Sequence, residues 1–174
     1  MLVHPHRLAQ FSEWANARLH AACATLPSDA LALDRGAFFD SILGTLNHIL
    51  LVDLLYRERL EGRAGDFDSL AQILHPDLVG LTAAQAASDA YYASITRDLD
   101  EEKLAEPVGF HTLLDAPEYW EVSRDIYFSN LFQHQAHHRG QAHNMLSQAG
   151  LDPPPIGFIE FEIESGENVV RRPS

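Results

Sequence analysis

The feature that most constrains this chain is the stretch from Tyr127 to Met145, YFSNLFQHQAHHRGQAHNM, which holds one glycine and no proline. Alternate steps of four and three from Tyr127 pick out Tyr127, Leu131, His134, His138, Gln141 and Met145. That spacing marks the inward seam of a helix in a bundle. Apolar residues hold the ends of the seam, while two imidazoles and an amide hold its middle. An unpartnered buried polar group costs roughly 1–3 kcal/mol, so three at one height need something that satisfies them together. Histidines at i and i+4 present two ring nitrogens on one face, a common start for a metal site. A lone histidine on an apolar face is ordinarily a core residue bonded to a carbonyl. A pair in one seam is a different pattern, and it predicts a metal only if a third ligand exists.

The third imidazole lies in the segment from Ala37 to Leu60, which reads as a helix that is apolar round most of its circumference. Such a helix is buried on more than one side. His48 sits inside it, flanked on one seam by Thr45, Val52 and Leu55. Helices of about 24 residues span roughly 36 Å, so His48, His134 and His138, each near mid-helix, come to similar height. These three are the expected ligands of one divalent ion. His137 could replace His138 in an i, i+3 pair, but it leaves the apolar seam. His143 also lies off it, and His4, His6, His20, His75 and His111 read as surface residues.

The rest of the pattern supplies two more long helices. Residues 6–26 carry Leu8, Phe11, Ala15, Leu19, Ala22 and Leu26 at helical spacing, ended by Pro27. Thr82 and Gln85 suggest a capping box for a helix running to Leu104, with Ala84, Ala87, Tyr91, Ile95 and Leu99 inward. Between the second and third helices, residues 61–81 form a glycine- and proline-punctuated connection, with Ser69–Leu74 as a short helical piece. Its length favours a crossover between bundle helices over a hairpin. Residues 105–122 read as a β-hairpin turning at Asp115–Pro117. Ser123 is the expected N-cap of the fourth helix, which ends at Gly150. The tail GFIEFEIE, Gly157–Glu164, alternates as an extended strand would. The expected fold is all-α: a four-helix bundle, one domain over residues 1–174, with a hairpin insertion between helices 3 and 4 and an extended C-terminal tail.

Charge and composition narrow the partners. The net charge is −13, from 25 acidic and 12 basic residues, which repels phosphate backbones and argues against nucleic acid. No apolar run approaches about 18 residues and no leader pattern opens the chain, so a cytoplasmic protein without a membrane partner is expected. Cys23, the single cysteine, excludes an internal disulfide and reads as a small apolar residue in the first helix.

Several segments resemble the DinB superfamily of metal-binding bundles. FSEWANARL, residues 11–19, resembles its first helix; GAFFDSILGTLNHILLVDLLYRERLEG, residues 36–62, its second; and FQHQAHHRGQAHNMLSQAG, residues 132–150, its HxxxHRGQ helix. The resemblance covers most of the chain in the right order. It implies an up-down-down-up bundle and a divalent ion on His48, His134 and His138. Relatives include thiol-dependent transferases, a maleylpyruvate isomerase and a hydrolase-like branch. The family name refers to induction by DNA damage and implies no DNA binding.

Three neutral imidazoles leave an ion its full charge and an open coordination position, suited to a bound hydroxide or a substrate thiolate. Histidine ligands suit zinc or nickel, and also iron or copper. Gln141, one turn past His138, is a candidate to orient a metal-bound water or substrate, or else a core polar residue. Asp53 is a candidate to orient an imidazole, with a salt bridge to Arg57 as the simpler reading. Arg139 is expected to pair with a carboxylate on the second helix, and Gly140 to permit close helix approach. A di-iron carboxylate bundle needs Glu-x-x-His pairs, and this chain has none. The expected function is a metal-dependent thiol S-transferase or hydrolase of small molecules; the alternative is a non-catalytic bundle with a structural or vestigial ion, acting in binding or stress response. The apolar second helix, Trp14, Trp120 and the tail also suggest a homodimer.

Overall fold

In the computed structural model, which describes residues 3–63, 67, 69–113 and 118–170, the elements in chain order are α1 (Pro5–Cys23), α2 (Ser28–Ala32), α3 (Ile42–Leu60), α4 (Leu78–Ile95), α5 (Glu101–Ala105), β1 (Pro107–His111), β2 (Tyr119–Ser123), α6 (Arg124–Gln148) and α7 (Phe158–Ser165). The helix starts follow from side chains that satisfy free first-turn amides. Ser41 Oγ accepts from the Gly44 amide at 3.1 Å, Asp77 Oδ1 from Gly80 at 2.8 Å, and Asp100 Oδ1 from Lys103 at 2.9 Å.

These caps correct several expected boundaries. The second long helix begins at Ile42 and not at Ala37, because Asp40 takes φ 58° and closes residues 37–40 into a tight turn before the Ser41 cap. The third begins at Leu78, capped by Asp77, so Thr82 and Gln85 form no capping box. It ends at Ile95, and Asp100 starts a separate helix, α5. Its buried residues are Leu81, Gln85, Ser88, Asp89 and Tyr92, one position round from the expected alanine face. The first helix stops at Cys23, followed by tight turns into Pro27. Residues 69–74 form a turn and no helix. The hairpin is as expected, with Pro107 opposite Ser123 and His111 opposite Tyr119; its expected turn at Asp115–Pro117 lies outside the described residues.

The tail departs most from the expectation. Phe158–Ser165 is helical, with Gly157 as its extended N-cap, and docks on α1. As a helix it places Phe158 and Phe161 together against Phe11, with Phe161 also against Trp14. It also lets Glu162 receive both Arg7 Nε and Nη2, at 2.7 and 2.8 Å. An isolated strand there would have left its ladder groups without partners.

The four long helices form the body: α1 packs on α4 and α6, and α3 packs on the same two. Along α1 and α4, Asn16 meets Asp89 and His20 meets Thr82. Along α3 and α6, His48 meets His134 and Tyr56 meets Tyr127. On α3 and α4, Gln85 and Tyr92 both reach Asp53. One apolar cluster centres on Leu19, Ile49, Leu81 and Leu146; a second centres on Leu51, Tyr92, Phe128 and Phe132. Between these clusters lies a buried polar layer of Asn16, Asp53, Gln85, Asp89, Gln135 and Arg139. Among the described residues no helix is long and apolar enough to cross a membrane.

Candidate metal centre

The expected seam of α6 faces inward at Tyr127, Leu131, His138 and Met145, with His134 and Gln141 half-buried. α3 and α6 bring His48, His134 and His138 together so that one ring nitrogen from each lies within 4.8 Å of the others. The Nε2 atoms of His48 and His134 are 3.0 Å apart. The His138 ring lies 4.5 Å from His48 and 4.4 Å from His134, centroid to centroid.

The hydrogen bonds fix which nitrogens are free. His48 Nδ1 donates to the Leu70 carbonyl at 2.8 Å, and His138 Nδ1 donates to Gln141 Oε1 at 2.8 Å. A carbonyl only accepts, so both rings carry their proton on Nδ1 and keep Nε2 as a lone pair. Such outward bonds are the usual support of metal-bound imidazoles. Burial pushes His48 down to about 4 and His134 down to about 3, and it lowers His138 as well. All three are therefore neutral near pH 7, the form that ligates. Ligands on a tetrahedral ion with 2.0–2.1 Å bonds lie about 3.4 Å apart, inside the 4.8 Å within which these three nitrogens lie of one another. The donor set fits one divalent ion, which these three buried or half-buried histidines could hold.

The cluster is open on one side. A pocket of about 360 Å³ exposes all three rings between Phe39, Val52, Leu55, Leu70 and Leu113. Phe39 reaches it because Gly44 lets the 37–41 turn fold back; a Cβ on Gly44 would stand 2.2 Å from the Phe39 carbonyl oxygen.

Of Gln141, Asp53 and Arg139, Gln141 alone touches the cluster. Gln141 bonds to His138, and its Nε2 lies 3.1 Å from His137 Nε2. Asp53 lies in the central polar layer, accepting from Gln85 at 2.8 Å and from Gln135 at 2.5 Å; it touches no imidazole, and Arg57 pairs with Glu61 instead. Arg139 donates to Ser12, Asn16 and Gln135 and makes no hydrogen bond to a carboxylate on α3. Nothing lies within 4 Å of a Cβ built on Gly140, so close helix approach does not explain it. His143 bonds to the Pro154 carbonyl. His20 is buried against Thr82 and not on the surface, and burial lowers it to about 4. Two contributors escaped the sequence reading. The Leu70 carbonyl has no sequence signature, whereas Phe39 was traceable through the cap–glycine pair Ser41 and Gly44.

The DinB family model matches residues 1–167. The chain belongs to the DinB family. A crystal structure of a DinB-like protein from Bacillus cereus ATCC 10987 is similar in fold, with a TM-score of 0.59 at 14% identity, covering 81% of this chain and 89% of the other. No curated protein matches the chain. DinB membership and the helical fold therefore agree with the resemblance read from the three sequence segments.

Proposed function

We propose that this DinB protein is a metal-dependent enzyme acting on small molecules, a thiol S-transferase or a hydrolase, with His48, His134 and His138 as the ligands. The observation that carries this reading is the open pocket. Three neutral imidazoles converge at its floor, and among the described residues no fourth histidine, cysteine or carboxylate joins them. A structural ion is normally closed off by four protein ligands, whereas a catalytic one keeps a position for substrate. A divalent ion held there would supply a +2 charge and a free coordination position, the Lewis-acid chemistry that makes a thiol or a water nucleophilic at neutral pH. The chain's own part is to keep the imidazoles neutral, to aim them through Leu70 and Gln141, and to keep the surrounding walls apolar. Zinc or nickel suits this donor set best.

The remaining features of this reading rest on narrower support. The helix pairings, Asn16 with Asp89, His48 with His134 and Asp53 with both Gln85 and Tyr92, support an up-down-down-up order within one domain. Exposed Ile159 and Ile163 on α7, with Trp120 and Ile126 near the hairpin, support a homodimer. The lone buried Cys23 suits a cytoplasmic setting. The test is elemental analysis of the purified protein followed by a screen of low-molecular-weight thiols against electrophiles, with ester and amide hydrolysis alongside. About one ion per chain, lost in His134→Ala, together with thiol transfer or hydrolysis that depends on the ion, is the expected result. Stoichiometric metal retained after all three histidines are replaced by alanine would overturn the ligand assignment.

A further inference from the structure

His48 is the first member of a stripe on α3 that continues through Val52 and Leu55 to Arg59, in steps of four, three and four. The stripe therefore runs along one face for eleven residues, about 16 Å of helix. It borders two cavities. Leu55 and Leu113 line the histidine pocket and also a neighbouring cleft of about 510 Å³, whose walls include Arg59, Phe110, His111 and Tyr119.

Arg59 is the notable group in that cleft. Its guanidinium lies over the Phe110 ring, 4.7 Å from the centroid, and donates to the His111 carbonyl at 3.0 Å. Those contacts hold the fork in place but do not neutralise it. Among the described residues no carboxylate forms an ion pair with Arg59, while Arg57 and Arg63, on either side, both pair with Glu61. In a chain of net charge −13, a cation in a cleft with no carboxylate partner among the described residues is a specific attraction for an anion.

We propose that the Arg59 cleft seats the carboxylate of an elongated apolar acid whose other end lies in the histidine pocket. Val52, Leu55 and Leu113 would meet its chain, and the guanidinium its carboxylate. This names the substrate class of the site proposed above and rests on that reading only for the reacting end. The Arg59 contact itself needs no ion.

The test is calorimetric binding of decanoate and of decanol to the full chain, with metal content measured on the same samples. Decanoate is expected to bind more tightly than decanol, and added salt to weaken only decanoate. Arg59→Gln is expected to weaken decanoate about tenfold or more, the scale of one charge-assisted hydrogen bond, and to leave decanol within about twofold. Arg59→Lys keeps the charge and is expected to retain the preference for the acid, which separates recognition from a collapsed cleft. Four results would overturn the proposal: no saturable binding, decanoate no tighter than decanol, decanoate affinity unchanged in Arg59→Gln, or equal loss of both ligands in both variants. Decanoate bound through an ion alone would be indifferent to Arg59 and so counts among them. Arg59-dependent binding to metal-free protein would leave this inference standing while the metal reading fell. Metal-loaded protein that ignores Arg59 would do the reverse.

Discussion

The ring of Phe39 lies against that of His48, with centroids 3.8 Å apart and planes inclined by only 19°. One face of the imidazole is thereby covered, and Nδ1 is held by Leu70. What remains accessible is the edge that carries Nε2. Phe39 does not follow from its own position in the sequence as a site residue. It arrives there because the turn before α3 doubles back over Gly44.

That dependence makes Gly44→Ala informative. The new methyl would overlap the Phe39 carbonyl, and the turn, being backbone, has to move. A loss of about 1–3 kcal/mol in folding stability is expected from such overpacking, read from the urea midpoint. The same variant is expected to bind divalent metal more weakly, because the stack on His48 moves with the turn. Unchanged affinity in the destabilised variant would show that Phe39 shapes the pocket wall without holding the ligand.

Gln141 tests the support of His138. Its side-chain carbonyl is the acceptor that keeps the His138 proton on Nδ1. Gln141→Leu removes that acceptor, and a loss of about 10- to 100-fold in metal affinity is expected, the usual scale for a partner of a metal-bound histidine. Gln141→Glu keeps an acceptor and is expected to retain most of the affinity. Competition against a chromophoric chelator measures both. Full affinity in Gln141→Leu, with turnover lowered, would instead place the amide's role on the bound substrate.

Much of this was legible in the sequence, for a definable reason. The histidines stand on stripes whose apolar ends point inward whatever the neighbours do, so position and burial could be read together. The same rule applies one residue on: Phe128, Phe132, Gln135, Arg139, Ala142 and Leu146 repeat the 4-3-4-3-4 spacing and are all buried. That second stripe was hidden because glutamine and arginine read as surface residues when considered singly. Only the partners on α1, α3 and α4 make their burial tolerable. Asn16, Asp53 and Asp89, each polar and far apart in sequence, could not be matched with them beforehand.

The tail misled for a different reason. FIEFEIE alternates with period two, yet Phe158, Phe161, Glu162 and Ser165 also share a helical face. The choice is settled by what α1 offers: Phe11 for the rings and Arg7 for Glu162 and Ser165. Local pattern alone does not contain that surface.

Phe161→Ala should expose how much α7 contributes. Phe161 is buried against Phe11 and Trp14, with the Arg7 guanidinium over its ring. A cost of about 3 kcal/mol is expected for such a truncation if the tail unfolds together with the bundle. Amide exchange across α7 is expected to accelerate more than exchange in α3. If exchange rises only in α7 and the global midpoint stays fixed, the tail is an independent unit docked on a bundle that stands without it.

Asp53 sets the expected pH behaviour. It is fully buried, its two oxygens accept from Gln85 and Gln135, and nearby Asp89 repels its charge. Burial above all, with Asp89, pushes its carboxyl up to about 7, and burial pushes Asp89 up to about 6. Among the described residues Arg139 is the single buried cation opposite them, so one proton on the pair balances the layer. The unfolded chain releases the Asp53 proton near 3.8, the folded chain near 7. Between these values the folded state binds more protons, so stability falls as pH rises. The contribution of the neutral form is complete below about 3.8 and gone by about 7, on the order of 4 kcal/mol across the window. The buried histidines act in the opposite sense, since His20, His48 and His134 stay neutral when folded down to about 3–4. A difference measurement cancels them. Asp53→Asn cannot ionise and gives up one amide hydrogen bond, so it is expected to be the less stable protein at pH 4–5, with the gap closing toward pH 7.5. Denaturant titrations of both proteins over that range decide the matter. A gap that widens with rising pH would mean that Asp53 is ionised in the fold and held by Arg139, with the layer's proton on Asp89.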